Sequence, residues 1–230
     1  MNDPSTQTSN VLRTGKAPFE SWLFDLDNTL YPAESNLFSQ IDFRMGKFVE
    51  ECLGVDNLRA RELQKQYYHE HGTTLNGLML HHGVNPDEFL KYVHDIDLSV
   101  ISKTPLLGSA LSRLPGRKII FTNGSVDHAE RVLIRLGIEN YFEGIHDIKA
   151  SKYNPKPNLE SYLSVLARFG LSAKTSVMLD DILSNLKPAA RLGVTTVWVK
   201  NKSSGDLPPG DYIDYITDNL AHWLSNLRLG

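Results

Sequence analysis

The chain has 230 residues, of which 41% are hydrophobic and 22% charged, a composition typical of a soluble globular protein with a substantial core. Its net charge of −3 gives no basis for binding to nucleic acid or to a membrane surface. The single cysteine, Cys52, excludes an intrachain disulfide. The sequence contains neither a signal segment nor a run of about 18 apolar residues, so a cytoplasmic address is predicted.

The first predicted strand, Trp22 to Phe24, is a short apolar run preceded by a polar lead-in, residues 1–17, that we expect to be disordered. Asp25 and Asp27 follow at the exit of this strand. Side chains two residues apart point the same way in an extended chain, so these carboxylates repel each other unless a divalent cation or a proton-transfer task offsets the repulsion. A solvated turn is the alternative interpretation.

A helical block follows this strand. Apolar residues recur there at steps of three and four, which predicts an amphipathic helix carrying the stripe Phe38, Ile41, Met45, Phe48 and Val49. Two further helices are predicted for Leu58–His71 and Leu75–His82. Asn85 and Pro86 indicate the start of a fourth, since Asn is a good N-cap and proline fits the first helical position.

From about Thr104, short apolar runs alternate with helical patterns. The predicted strands are Lys118–Thr122, Gly144–Ile148, Ser176–Leu179, Thr195–Val199 and an edge strand, Tyr212–Ile216. The predicted helices are Leu106–Leu114, Val126–Leu136, Leu159–Phe169, Leu186–Leu192 and Asn219–Leu227, with a loop over 201–211. This alternation predicts a Rossmann-like, three-layer α/β core with a mainly parallel sheet, formed by residues 18–33 and 104–230, and an inserted all-helical cap over residues 34–103.

Polar side chains follow the predicted strands at the edge where open parallel sheets bind ligands. Thr122, Asn123 and Gly124 form a turn ahead of a helix, and a hydroxyl with free N–H groups at a helix N-terminus can bind an anion. Lys156 lies between two prolines, so a stiff loop presents its ammonium group. Simpler explanations are a helix cap for the turn and an ordinary surface lysine.

Asp180 and Asp181 end another apolar strand. With Asp25 they offer the oxygen ligands that Mg²⁺ prefers, if their strands are neighbours. An acidic helix N-terminus is the simpler explanation of this pair. The order of acids, hydroxyl turn, lysine and further acids at one edge of one sheet favours a shared site over separate explanations.

These motifs resemble those of the haloacid dehalogenase (HAD) superfamily of phosphohydrolases, over residues 20–200. The Asp-x-Asp-x-Thr motif is matched by Asp25, Asp27 and Thr29. The strand ending in Thr or Ser, the lysine and the acidic pair are matched by Thr122, Lys156, Asp180 and Asp181. The helical insert directly after the first motif is similar to the C1-type cap of this superfamily.

The resemblance implies covalent catalysis. Asp25 is then the nucleophile that forms an aspartyl-phosphate, and Asp27 protonates the leaving oxygen and afterwards activates water. Dehalogenase members resemble Asp-x-x-x-Thr and lack an acid at the place of Asp27, because a halide leaves without a proton. An acid at this position therefore indicates phosphoryl chemistry.

The resemblance also implies the binding roles. Thr122 and the N–H groups of Asn123 and Gly124 are expected to hold the transferring phosphoryl group, and Lys156 to offset charge on the nucleophile and the phosphate. Mg²⁺ is the implied cofactor, with the expected ligands Asp25, the Asp27 carbonyl and Asp181, and Asp180 as a further candidate. Asn185 stands where many members carry an acid that orients the metal waters, so this sequence departs from the pattern there.

The cap is expected to select the substrate. The stretches Asp25–Pro32 and Tyr67–Leu78 are similar to the pyrimidine 5′-nucleotidase branch, which implies UMP or CMP as substrate. The candidate residues for contacting the nucleotide are Arg44, Tyr67, Tyr68, His71 and Thr73. The alternative is that the aromatic residues belong to the cap core, as aromatic residues at helical spacing usually do.

Other hypotheses remain open at this point. The substrate is a sugar phosphate or phosphoglycolate in one alternative, and in another the chain is a non-catalytic phosphate-binding regulator. A phosphomutase would need a cluster of basic residues in the cap to hold a second phosphate, and the sequence offers little beyond Arg44, Lys47, Arg59 and Arg61. A small-molecule phosphate monoester is the expected partner, and both a monomer and a homodimer fit the sequence.

Overall fold

The computed structural model describes residues 11–12, 19–202 and 208–229. A short parallel pair joins β1 (Val11–Leu12) to β8 (Arg228–Leu229). A parallel sheet of six strands lies at the centre of the molecule. Its strands are β2 (Ser21–Phe24), β3 (Arg117–Phe121), β4 (Gly144–His146), β5 (Ser176–Asp180), β6 (Thr195–Val199) and β7 (Tyr215–Thr217).

The strands lie across the sheet in the order β4-β3-β2-β5-β6-β7, and all neighbours are parallel. From β2 the chain runs outward to β3 and β4 on one side, then returns to β5 beside β2 and continues outward on the other side. The direction of the strand order therefore reverses at β2. Ligands of open α/β sheets bind outside the carboxyl ends of the strands at such a reversal, which places a site beyond Phe24.

Helices cover both faces of the sheet and form the insert. The insert contains α1 (Leu37–Leu53), α2 (Asn57–His71), α3 (Thr74–His82) and α4 (Pro86–Val93). The remaining helices are α5 (Pro105–Arg113), α6 (Val126–Leu136), α7 (Leu159–Phe169), α8 (Leu183–Leu192) and α9 (Leu220–Ser225). Within the described ranges, no helix combines the length and the apolar character needed to cross a membrane.

The alternation of side chains along β2 builds two core layers. Trp22 and Phe24 point to one face, where they pack in a cluster with residues of α5, α6 and α9. Leu23 points to the other face and packs with residues of α7 and α8. All three side chains are 0–1% exposed, as expected for a parallel strand that is buried on both faces. The predicted three-layer α/β fold with a helical insert is therefore confirmed.

The sequence placed the edge strand too early. It was predicted over Tyr212–Ile216, whereas β7 starts only at Tyr215. Asp214 explains the delay, because its carboxylate accepts a hydrogen bond from the N–H of Thr196 at 2.8 Å and its own N–H donates to the Thr196 hydroxyl at 3.1 Å. Side-chain bonds thus replace the backbone ladder at the point where the strand was expected to begin.

Two predictions at the periphery are tested only in part. The disordered lead-in, residues 1–17, lies outside the described residues except for Val11 and Leu12, which form β1 rather than disordered chain. The predicted loop, 201–211, includes residues 203–207, which also lie outside the described residues.

Candidate active site

A cleft lies between the carboxyl edge of the sheet and the helical insert. Its volume is about 360 Å³. On the sheet side, Asp25, Thr122 and Asp181 line it from the ends of β2, β3 and β5, and Lys156 lines it from the loop before α7. The cleft therefore opens at the point where the strand order reverses, and it brings together side chains that are distant in the sequence.

A buried lysine joins two carboxylates at the base of the cleft. The Lys156 Nζ lies 2.7 Å from Asp25 Oδ1 and 2.7 Å from Asp180 Oδ2. The side chains are 1%, 11% and 0% exposed respectively, so these charges are almost completely removed from water. Buried charges of this kind persist only when they are paired and hydrogen-bonded, and this one ammonium satisfies both acids.

The loop that carries the lysine is fastened to the end of β3. Asn123 Nδ2 donates to the carbonyl of Lys156 at 3.1 Å, and the N–H of Lys156 donates to Asn123 Oδ1 at 2.8 Å. This reciprocal pair fixes the backbone of Lys156 relative to the strand. The position of the ammonium group therefore depends on the turn after β3 as well as on its own loop.

The acids at this edge outnumber the cations. Burial raises the pKa of Asp25 to about 7, with Asp180 adding to the effect and Lys156 opposing it. Burial, then Asp25 and Asp180, raise the pKa of Asp181 to about 9. Burial alone would lower the pKa of Lys156, but Asp180 and Asp25 outweigh it and raise that pKa. The site thus favours any ligand that brings positive charge.

The donor set fits a divalent cation with a preference for oxygen. Asp25, Asp180 and Asp181 each offer a carboxylate oxygen, and these atoms lie within 4.8 Å of one another. Carboxylates without nitrogen or sulfur ligands suit Mg²⁺, and its charge would relieve the repulsion that raises the two pKa values. The carboxylates of this site therefore fit a bound Mg²⁺.

The acids differ in how free they are to bind a metal. Asp180 accepts hydrogen bonds from Lys156 Nζ, from Asn185 Nδ2 at 3.0 and 3.2 Å, and from the N–H of Ile182 at 2.9 Å. Among the described residues, the carboxylate of Asp181 accepts one hydrogen bond, from Asn201 Nδ2 at 3.2 Å. Asp25 and Asp181 are therefore better placed as direct ligands, and Asp180 is better placed to hold Lys156.

Asp27 faces a different set of partners. Its Oδ1 accepts a hydrogen bond from the Tyr31 hydroxyl at 2.5 Å and lies 2.8 Å from His128 Nε2. Burial alone would raise the pKa of Asp27, but His128 and Tyr31 outweigh it and lower that pKa. Asp25 and Asp27 therefore occupy distinct environments: a lysine and further acids around the first, and neutral or cationic donors around the second.

The turn after β3 has the form of an anion site. Thr122 is buried, and its Oγ1 accepts a hydrogen bond from the N–H of Gly124 at 2.9 Å. No hydrogen bond from the N–H of Asn123 is found within the described part of the chain. A Cβ at Gly124 would lie 3.3 Å from both Thr122 Oγ1 and the His128 ring, so the turn packs closely on that ring.

The insert brings only part of the predicted specificity set to the cleft. Tyr68 and Thr73 line it. Arg44 does not, because it donates to the carbonyl of Tyr92 at 2.6 Å and pairs with Asp95 at 3.3 Å. The expected direct contact between Arg44 and substrate therefore does not match the position of this side chain.

Tyr67 and His71 also turn away from the cleft. The Tyr67 ring is buried against Gly77, where a Cβ would clash at 2.3 Å, and its hydroxyl bonds His82 Nε2 at 2.7 Å. His71 Nε2 lies 2.9 Å from His81 Nε2. Both side chains belong to the packing between α2 and α3 and lie away from the cleft, so their contact with a nucleotide stays a prediction, while the burial of Tyr67 fits the alternative of a core role.

Several residues at the cleft were not singled out from the sequence. On the insert side these are Asp42, Gln64 and Lys65. On the core side His128, which contacts Asp27 from behind the cleft lining, was also not singled out. A usable signal existed for it, because it lies in the first turn of α6 and helical side chains lean towards the helix N-terminus, which here abuts the turn after β3.

Fold and site together define an α/β protein with an acidic, cation-compatible cleft under a helical insert. A family profile described as haloacid dehalogenase-like hydrolase matches residues 22–193, and the chain belongs to this family. The matched range runs from the second residue of β2 to the residue after α8, so it includes the insert and every acid of the cleft.

Two known proteins with similar sequences have names that refer to phosphate. Phosphate metabolism protein 8 of Saccharomyces cerevisiae is 28% identical over 191 residues, which are 75% of this chain and 59% of the yeast protein. Glyceraldehyde 3-phosphate phosphatase of Methanocaldococcus jannaschii is 27% identical over 221 residues, which are 86% of this chain and 92% of the archaeal protein. The chain therefore spans less than two thirds of the yeast relative and most of the archaeal one.

The fold is shared with solved structures. The HAD-hydrolase YfnB of Bacillus subtilis, solved bound to magnesium, aligns with a TM-score of 0.60 at 16% identity, covering 93% of this chain and 100% of that protein. At this identity the likeness concerns the fold alone.

Proposed function

We propose that this protein is a Mg²⁺-dependent phosphomonoesterase that acts through an aspartyl-phosphate on Asp25. The observation that carries the proposal is the pairing of two differently held acids at one sheet edge. Asp25 is held by Lys156 among further carboxylates, whereas Asp27, two residues on, is held by Tyr31 and His128. Two roles, nucleophile and acid–base, require such different surroundings.

In the first step a carboxylate oxygen of Asp25 attacks phosphorus. The bond between phosphorus and the leaving oxygen breaks, and its electron pair passes to that oxygen, which takes a proton from Asp27. Lys156 stabilises negative charge on the nucleophile and on the equatorial oxygens, as do Thr122 and the N–H of Asn123. Asp25, Asp181 and the Asp27 carbonyl would hold Mg²⁺, which would supply further charge stabilisation.

In the second step water attacks the phosphorus of the aspartyl-phosphate. Asp27, now ionised, takes a proton from that water, and the bond between phosphorus and Asp25 breaks to release inorganic phosphate. His128 and Tyr31, which lower the pKa of Asp27, stabilise the ionised carboxylate after its proton has left. The leaving alkoxide of a phosphate ester needs the proton that Asp27 supplies, and this favours phosphate esters over halides as substrates.

The proposed substrate is a pyrimidine 5′-nucleotide, UMP or CMP. The support is the insert side of the cleft, where Phe38, Met45, Tyr68 and Phe89 provide an apolar and aromatic wall suited to a planar base. Polar groups that can read the edge of a base are also present, from Asp42, Gln64, Lys65 and Thr73. A volume of about 360 Å³ is within the usual range for small-molecule sites.

A small sugar phosphate is the second candidate. It is favoured by the similarity to glyceraldehyde 3-phosphate phosphatase, which extends over 92% of that protein. The two candidate substrates differ in their expected contact with the apolar wall. A base gains from contact with it, whereas a hydroxylated triose leaves it in contact with water.

A panel of phosphate monoesters, assayed with the purified protein and Mg²⁺, tests the substrate. We expect kcat/KM for UMP or CMP to exceed that for purine nucleotides, glyceraldehyde 3-phosphate and phosphoglycolate by about 10-fold or more. Preference for glyceraldehyde 3-phosphate would replace the substrate assignment. No phosphate release from any ester would contradict the proposed chemistry.

Replacing the nucleophile tests the chemistry. Asp25→Asn keeps the size of the side chain but removes the attacking oxygen anion, so phosphate release should fall by about 10³-fold or more. Asp218→Asn is the matched control, because Asp218 is exposed on the loop after β7, and it should keep the wild-type rate. Equal rates for Asp25→Asn and wild type would exclude Asp25 as nucleophile.

A further inference from the structure

The two oxygens of Asp27 have unequal surroundings. Oδ1 accepts a hydrogen bond from the Tyr31 hydroxyl at 2.5 Å and is 2.8 Å from His128 Nε2. No hydrogen bond to Oδ2 is found among the described residues. Since a carboxylate oxygen has two lone pairs in its plane, both sites on Oδ1 are taken. Asp27 also lines the cleft, so a substrate can reach it.

The ring of His128 is fixed by packing on every side. Its side chain is 0% exposed and stacks on the ring of His94, with centroids 4.3 Å apart and planes 8° from parallel. His94 Nδ1 in turn lies 3.0 Å from the hydroxyl of Ser125, the N-cap of α6, and that hydroxyl accepts the N–H of His128 at 3.3 Å. Nε2 of His128 therefore cannot swing away from Asp27.

The hydrogen-bond pattern also assigns the donor. An ionised carboxylate only accepts hydrogen bonds, so Nε2 of His128 carries the hydrogen that lies between them. Nδ1 of His128 is buried and has no partner in the described part of the chain, which fits a ring whose one hydrogen is on Nε2. Tyr31, buried at 2% exposure, likewise has its hydroxyl hydrogen directed at Oδ1.

We infer that Tyr31 and His128 are positioning residues for Asp27: by occupying Oδ1 they leave Oδ2 as the atom that carries the proton to the leaving oxygen. The inference rests on the proposed phosphatase function. In the step concerned, the Oδ2–H bond breaks, the proton bonds to the leaving oxygen, and the electron pair of the broken phosphorus–oxygen bond remains on that oxygen. Without the two donors, the carboxyl group can rotate and place its proton away from the substrate.

The leaving group of the substrate provides the test. A nucleoside or alkyl phosphate has a poor alkoxide leaving group, and general acid catalysis contributes about 10²- to 10⁴-fold to its cleavage. p-Nitrophenyl phosphate has a leaving group that departs without a proton. Loss of the position of Oδ2 should therefore reduce kcat/KM for the first kind of substrate and spare it for the second, whereas general damage to the site reduces both.

Tyr31→Phe, His128→Leu and His128→Gln are the variants. Tyr31→Phe and His128→Leu should each lower kcat/KM for UMP, or for the best alkyl ester of the panel, by about 10- to 100-fold while kcat/KM for p-nitrophenyl phosphate changes less than about 3-fold. This ratio reports the formation of the aspartyl-phosphate and not its hydrolysis, in which Asp27 also acts. His128→Gln, whose amide can donate from the place of Nε2, should recover most of the loss. Tyr92→Phe is the matched control, since its hydroxyl bonds Glu51 on the outside of the insert.

Each outcome is decisive. Equal losses of kcat/KM on both substrates, or no loss on either, overturn the positioning role. If His128→Leu fails to fold, Tyr31→Phe carries the test, because it removes one oxygen and creates almost no cavity. A wild-type protein that cleaves neither substrate would instead contradict the proposed phosphatase function, so the two failures are distinguishable.

Discussion

The two walls of the cleft are built in opposite ways. On the core side, charges are fixed at short distances and nearly excluded from water, with Lys156 Nζ 2.7 Å from both Asp25 and Asp180. On the insert side, the wall is mainly apolar and partly open, and Phe38 and Tyr68 remain 38% and 49% exposed. Chemistry depends on fixed positions of charge, whereas recognition tolerates a surface that adapts to its ligand. The two tasks are therefore divided between the walls.

The largest effect is expected from removing the lysine of the core wall. Lys156→Met leaves Asp25 and Asp180 buried without a cation, so it should lower the free energy of unfolding by about 3–5 kcal/mol. It should also reduce kcat by about 10²- to 10³-fold, because it removes a charge that stabilises the transition state. Urea denaturation and steady-state kinetics measure the two effects.

An exposed ion pair provides the matched control for this variant. Lys149 Nζ lies 2.6 Å from Asp87 Oδ1, but these side chains are 47% and 68% exposed. Lys149→Met should therefore change the free energy of unfolding by no more than about 1 kcal/mol and leave kcat unchanged. Similar losses in both lysine variants would mean that burial does not distinguish the two pairs.

Magnesium should stabilise the protein more strongly as the pH rises. The pKa values of Asp25 and Asp181 are about 7 and about 9 in the folded, metal-free protein, above the ordinary 3.8. The folded state then holds protons that the unfolded state has released, so these groups make stability fall as the pH rises from about 4 towards 9. Mg²⁺ binds the deprotonated carboxylates, so the increase in Tm on adding Mg²⁺ should be larger at about pH 8.5 than at about pH 6.

Asp181→Asn serves as the comparison for this measurement. It removes one carboxylate from the cluster, so the increase in Tm with Mg²⁺ should be reduced and should vary less with pH. An Mg²⁺-induced change in Tm that stays constant or shrinks with rising pH would contradict a metal bound by these acids.

A smaller effect is expected on the insert wall. Tyr68→Ala removes an aromatic face from the cleft and should raise KM for UMP by about 3- to 10-fold, with kcat within about 2-fold. Phe43→Ala is the matched control, because Phe43 is also an exposed aromatic residue of the insert, at 52%, but does not line the cleft. A fall in kcat with unchanged KM would place Tyr68 in the chemistry rather than in recognition.

The smallest effect is expected for Arg44. Its guanidinium is engaged with Tyr92 and Asp95 away from the cleft, so Arg44→Ala should leave KM for every nucleotide within about 2-fold of the wild-type value. Steady-state kinetics on the nucleotide panel measures it. If KM instead rose by about 10-fold, the insert would have to rearrange when substrate binds.

The core side of the cleft could be predicted because the ends of the strands can be recognised in the sequence. An apolar run buried on both faces shows where each strand stops, and parallel strands bring those stops to one edge. These two rules are enough to bring Asp25, Thr122 and Asp181 together, whereas Lys156, on the loop before α7, was assigned to the site from the resemblance. The structure adds the contacts, for example the hydrogen bonds that Lys156 and Asn185 both donate to Asp180. Such contacts depend on side-chain distances, which the spacing of residues in the sequence does not give.

The residues of the insert that face the cleft could not be predicted from the sequence, for a geometric reason. Tyr67 and Tyr68 are adjacent in α2, yet one is buried at 6% exposure against Gly77 and the other faces the cleft. Neighbouring helical residues differ in direction by about 100°, so a helix must be placed against the core before its cleft-facing residues are known. The contact between Asp27 and His128 joins two elements that are far apart in the chain, so the place of His128 in the first turn of α6 indicates its direction but not its partner.

The aspartyl-phosphate itself is the most direct test of the account. Asp27→Asn should slow the second step, because no base remains to activate water, and the intermediate should then accumulate with p-nitrophenyl phosphate, whose leaving group needs no proton in the first step. After an acid quench, mass spectrometry should find the peptide that contains Asp25 carrying one added phosphoryl group, and Asp25→Asn should abolish this signal. Turnover by the wild type with no phosphorylated Asp25 in either protein, or with the phosphoryl group on another residue, would contradict the central claim.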